Sequence, residues 1–115
     1  MYIRTKDGIY KVSHYNAYAT HKRKGETLLE GYKTSYIKNE NIINQSENLE
    51  ELCDCFVYFD ITHKVHTVFS LEEYKKYKQD KYWTCDLHIW YGAVWTSKGL
   101  IYVAKMNDKG ELELL

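Results

Sequence analysis

Residues 89–115, IWYGAVWTSKGLIYVAKMNDKGELELL, decide the fold. Three apolar or alternating runs are separated by polar turns that contain Gly99 and Gly110, and the whole 115-residue chain has no proline. Runs rich in Val, Ile, Tyr and Trp, bounded by Ser, Asn, Asp, Lys and Gly, read as strands joined by hairpins. The stretch is expected to be an antiparallel meander closed by the C-terminus, the ending of a finished small domain.

Upstream of it, FVYFD (56–60) and VHTVF (65–69) read as a hairpin about Ile61-Thr62-His63-Lys64. Ser70 followed three residues later by Glu73 matches a capping box, which opens a helix through about Gln79. Leu71, Tyr74 and Tyr77 share its buried face. An earlier helix is expected from Ser46, a good N-cap, with Leu49, Leu52, Cys53 and Phe56 on one side and Glu50, Glu51 and Asp54 facing away. Residues 28–38 read as a strand interrupted by Gly31, and Asn39-Glu40-Asn41 as a turn. The first twelve residues read as a hairpin through Lys6-Asp7-Gly8, with Gly8 supplying a positive φ, and 14–26 as a basic loop. The expected architecture is a single domain over 1–115 of the α+β class: mainly antiparallel β-sheet, made of hairpins and the C-terminal meander, with two short helices packed on it.

Aromatic content is high, with twelve Tyr, three Trp and three Phe. Trp90 and Trp95 are expected in the core. Tyr2, Tyr15, Tyr18, Tyr32, Tyr36 and Tyr91 are too many for so small a core, so exposed aromatic surface is expected, of the kind that meets a partner or a second copy of the chain. Net charge is zero but unevenly distributed. Residues 1–38 carry eight Lys or Arg against three acids, and residues 39–60 carry six acids and no Lys or Arg.

Several chemistries lack their residues. No run approaches a membrane span, and charges occupy the start where a signal peptide would be apolar, so a cytoplasmic protein with no membrane partner is expected. Three cysteines, an odd number, fit free thiols. Cys53-x-Cys55, His63-x-x-His66 and Cys85-x-x-His88 supply metal-ligating types at spacings unsuited to zinc, so neither a metal nor a cofactor is expected. Asp86 beside Cys85 would raise the thiol pKa, and no glycine-rich phosphate motif is present. These features lead to a non-enzymatic expectation.

Binding readings remain. The leading one is recognition of a host protein or protein complex through an acidic face, Glu47, Glu50, Glu51 and Asp54, with Tyr side chains as anchors. The alternative is nucleic-acid binding by Lys22, Arg23 and Lys24 of the basic loop 21–24 together with Lys75, Lys76 and Lys78 of a helix over 71–81, where interleaved aromatics could stack on bases. A third is sequestration of a small nucleotide in an aromatic pocket between protomers. A homodimer is compatible with all three.

Three blocks, RTKDGIYKV (4–12), ENIINQSENLEELCDCFV (40–57) and YGAVWTSKGLIYVAKMNDKGELELL (91–115), resemble a group of small proteins encoded by phages and prophages of low-GC Gram-positive bacteria. The resemblance implies a phage-encoded accessory protein acting in the host cytoplasm, as an inhibitor that occludes a host defence complex. It transfers no catalytic or binding residue.

Overall fold

The computed structural model describes residues 1–14, 24–30, 35–78 and 88–115. In chain order its elements are β1 (Tyr2–Thr5), β2 (Gly8–Lys11), β3 (Glu26–Leu28), β4 (Tyr36–Lys38), β5 (Asn44–Ser46), β6 (Cys55–Asp60), β7 (Val65–Phe69), α1 (Leu71–Lys78), β8 (His88–Thr96), β9 (Gly99–Met106) and β10 (Leu112–Leu114). They form mainly antiparallel sheet: five strands ordered β10-β9-β8-β6-β7, three ordered β2-β1-β5, and the pair β3-β4. Among the described residues, one α-helix and the short 3-10 turns Asn39–Asn41 and Leu49–Leu52 complete them.

The five-stranded sheet contains the meander read from 89–115. Its turns close at Gly99 and Gly110, both at positive φ, where a side chain would be strained. Strand β8 is central, pairing along its two edges with β6 and β9, and carries apolar side chains on both faces. One residue, Val103, bulges where the register slips at Gly92/Ala93.

The core lies against one face of this sheet, here the inner face. Phe56, Trp90, Val94 and Ala104 meet Ile9 of β2, Leu49 and Leu52 of the 3-10 turn, and Tyr74 of α1. Tyr74 stacks on Phe56 at 4.0 Å and sets its edge on Trp90 at 5.2 Å. The α1 start is the reciprocal cap read from the sequence: Ser70 N donates to Glu73 Oε1 at 3.1 Å, and Glu73 N to Ser70 Oγ at 3.2 Å. Gly92 allows a close approach in the core, because a Cβ there would lie 2.7 Å from Cys53 Sγ.

Several expectations are corrected. The first helix is a single 3-10 turn, Leu49–Leu52. Ser46 belongs to β5 and pairs with Tyr2, its hydroxyl accepts from Asn48 N at 3.0 Å, and Cys55 already enters β6. Of the eight residues between them, 47–54, only Leu49–Leu52 are helical, a single tight turn. Residues 28–38 are not one strand: Leu28 ends β3, Tyr36 begins β4, and the two pair antiparallel. The first hairpin turns on Lys6 and Asp7, with Gly8 already in β2 and without positive φ; Thr5 Oγ1 accepts from Asp7 N to hold the turn. Tyr77, placed on the buried face of α1 with Tyr74, is exposed and touches Phe69 at the helix margin.

Candidate functional site: the outer face of the five-stranded sheet

Strand alternation and register fix what the second face of the sheet presents. The pairs Cys55↔Ala93, Val57↔Tyr91 and Phe59↔Ile89 lie on it, as do Val57↔Val68, Phe59↔His66, Ala93↔Tyr102 and Trp95↔Leu100. Cys55, Val57 and Ala93 form a small buried cluster bordered by Tyr91 and Leu100. Larger rings project around it. Trp95 is 59% exposed, Tyr102 is 40% exposed and stacks on Tyr91 at 4.8 Å, and Val68 is 55% exposed. His66 lies flat on Phe59 at 4.3 Å. Lys105 and Glu113, opposite one another in the register, mark the polar margin.

The placement of Trp95 corrects the expectation that it is core. Trp90 is buried, but Trp95, five residues on in a strand, is on the opposite face. The apolar layers of Ile9, Leu49, Leu52 and Tyr74 all lie on the inner face. An apolar two-sided strand thus acquires these layers on one side and presents aromatic rings on the other. Pre-ordered rings of this type offer contact area at little entropic cost.

The acidic residues singled out from the sequence fall together, and so do their counter-charges. Glu51 Oε1 is 2.9 Å from Lys75 Nζ, Glu50 Oε2 is 3.5 Å from Lys78 Nζ, and Glu47 Oε2 is 3.3 Å from the Met1 ammonium. Asp54 is tied to Arg4 at 3.0 Å and accepts from Trp95 N at 2.7 Å. The hydrogen bond to Glu51 holds the Lys75 ammonium pKa above its ordinary value. For Glu50, Glu51, Lys75 and Lys78, surfaces that the sequence offers as rival sites, one acidic and one basic, are therefore one seam between the 3-10 turn and α1. Its charges largely satisfy each other, which weakens steering of an outside partner. Of the basic alternative, Lys76 and Lys24 are exposed, while Lys22 and Arg23 lie outside the described residues.

Among the described residues, groups capable of chemistry are few. Cys53 and Cys55 are free and buried. Burial, with help from Asp54, pushes the Cys53 thiol up to about 12, and burial also raises Cys55; neither is a thiolate at neutral pH. Cys85 lies outside the described residues. At one end of β6, the His63 ring and backbone N–H hydrogen-bond to Asp60 and hold its carboxyl pKa below the ordinary value. His88 lies 3.8 Å from the same carboxylate and hydrogen-bonds Tyr58. Among the described residues, no group of three or more His, Cys, Asp or Glu is set to hold a metal ion, and no helix is long and apolar enough to cross a membrane.

A cleft of about 380 Å³ lies between β2 and the β9–β10 edge, lined by Ile9, Tyr10, Ile101, Tyr102 and Leu114 among others. Its size suits a small ligand. Its charged lining is Asp7, Glu30 and Lys11, and Lys11 is already 3.4 Å from Glu30, an arrangement unfavourable to a phosphate. Comparison with protein-family models, with curated proteins and with solved structures finds no match to the chain.

Proposed function

We propose that this chain is a non-catalytic binding protein whose contact surface is the outer face of the five-stranded sheet, centred on Trp95, Tyr102 and Tyr91. The observation that carries this reading is the exposure of Trp95, 59%, on a strand that holds Trp90 buried on its other side. Exposed apolar surface costs solubility, and a contiguous patch of it on a folded domain marks a place for a partner. The partner of this reading is a protein: the patch is aromatic and aliphatic at its centre and charged only at its margin, the usual anatomy of a protein–protein contact.

The resemblance to small phage and prophage proteins supports a host component as that partner, with occlusion of a host defence complex as the mode of action in the host cytoplasm. The neutralised acidic seam shifts the weight of the reading from charge mimicry to shape and aromatic contact. A nucleic-acid role through Lys75 and Lys78 is less favoured, because both already have carboxylate partners.

The test is capture from lysate of a low-GC Gram-positive host by three immobilised forms of the chain: wild type, Trp95→Ser/Tyr102→Ser, and Glu50→Gln/Glu51→Gln. The reading expects one protein or complex retained by the first and third and lost from the second. Equal retention by all three, or retention by none, overturns it.

A further inference from the structure

A sheet edge presents unpaired backbone groups, and folded proteins guard edges with charge, brevity, proline or cover. The edges here differ in this respect. Strand β10 is three residues long with Glu113 at its centre; β5 is the polar Asn-Gln-Ser; β4 is short and ends in Lys38; β2 continues into a bridge between Val12 and Leu29. Among the described residues, strand β7 has none of these protections. It is five residues long, Val-His-Thr-Val-Phe, contains no Lys, Arg, Asp, Glu or Pro, and ends the order of its sheet. Its first four residues are exposed, Val65 at 52% and Val68 at 55%.

We infer that β7 is the site of self-association, pairing antiparallel with β7 of a second copy about a twofold axis through Thr67. The occupant follows from the residues. In this register Val65 faces Phe69 of the other copy, His66 faces Val68, and Thr67 faces Thr67, all pairs that suit adjacent strands. Lys64 falls opposite Ser70 of the second copy, beside the acidic first turn of its α1, Glu72 and Glu73; the reverse contact repeats by symmetry. On the inner face, Val65 would cover Phe69 and the exposed Tyr77 of the neighbour, which already touch at 4.9 Å. The product is one ten-stranded sheet with both helices on one side and two outer faces joined on the other. The inference stands apart from the proposed partner, since it uses the β7 edge and not Trp95, Tyr102 or Tyr91.

Sedimentation velocity over about 1 to 200 µM tests it, because a contact of this modest size predicts micromolar dissociation. A concentration-dependent species of twice the 13.8 kDa chain mass is expected. Thr67→Lys and Thr67→Glu, each placing like charges across the axis at an exposed position, are each expected to sediment as monomers with unchanged circular dichroism. An equimolar mixture of the two is expected to restore the dimer. A wild-type chain monomeric throughout, a dimer that survives both substitutions, or a mixture that stays monomeric overturns the inference.

Discussion

Arg4 and Asp54, fifty positions apart, meet at 3.0 Å and join three segments of the chain. The guanidinium also donates to the carbonyls of Thr5, Gly8 and Trp95, and Asp54 accepts from the Trp95 amide. This one pair fastens the β1–β2 hairpin to the strand that presents Trp95. Arg4 is buried, while Asp54 keeps partial contact with water.

Removing the carboxylate leaves a buried cation without its counter-charge. Asp54→Ala is expected to cost about 2–3 kcal/mol of unfolding free energy, and Asp54→Asn less, since an amide oxygen can still accept from Trp95 N. Chemical denaturation measures both. A cost under about 0.5 kcal/mol for Asp54→Ala would place the pair among ordinary surface bridges.

Gly92→Ala drives a Cβ to 2.7 Å from Cys53 Sγ and 3.3 Å from Ala104 Cβ. A loss of about 1–3 kcal/mol is expected, as for other overpacked cores. Cys53→Ala removes the sulfur, so the double variant should lose clearly less than the sum of the two single losses. Strict additivity would mean that the strain lies elsewhere.

The Tyr74 hydroxyl is buried without a hydrogen-bond partner among the described residues, and burial raises its pKa above the ordinary phenol value. Deleting an unsatisfied polar atom recovers its desolvation penalty. Tyr74→Phe is therefore expected to raise the denaturation midpoint, by up to about 1 kcal/mol in stability, with the stack on Phe56 retained. A loss of similar size would reveal a partner for the hydroxyl.

Asp60 has a depressed folded-state pKa, held chiefly by the His63 ring hydrogen bond. Its contribution to stability is thus fully present above the unfolded aspartate value, roughly pH 4, and is lost as pH falls through the lower folded value. His63→Ala should move the Asp60 carboxyl titration upward in carbon-detected NMR and shift the acid loss of stability to higher pH. An Asp60 titration indifferent to His63 would contradict this origin.

The parts of the fold legible in the sequence are those written locally. The meander follows from apolar runs broken at Gly99 and Gly110, and the α1 start from Ser70 and Glu73, whose reciprocal bonds span three residues. The first helix was not legible, because its boundaries are set from a distance: Ser46 by pairing with Tyr2, and Asp54 by Arg4. Likewise Glu51 and Lys75 read as opposed surfaces, yet they neutralise each other across twenty-four residues. The apolar run of β8 declares that both its faces are apolar. Which face receives the helix depends on the layer packed by Ile9, Leu49, Leu52 and Tyr74, so Trp95 read as core when it belongs to the exposed face.

Radical footprinting of the chain alone and with its captured partner tests the binding face most directly. The account predicts that Trp95, Tyr102 and Tyr91 lose labelling in the complex while Glu47, Glu50 and Glu51 keep theirs. Undiminished labelling of Trp95 and Tyr102, with protection falling on the acidic seam, would contradict it.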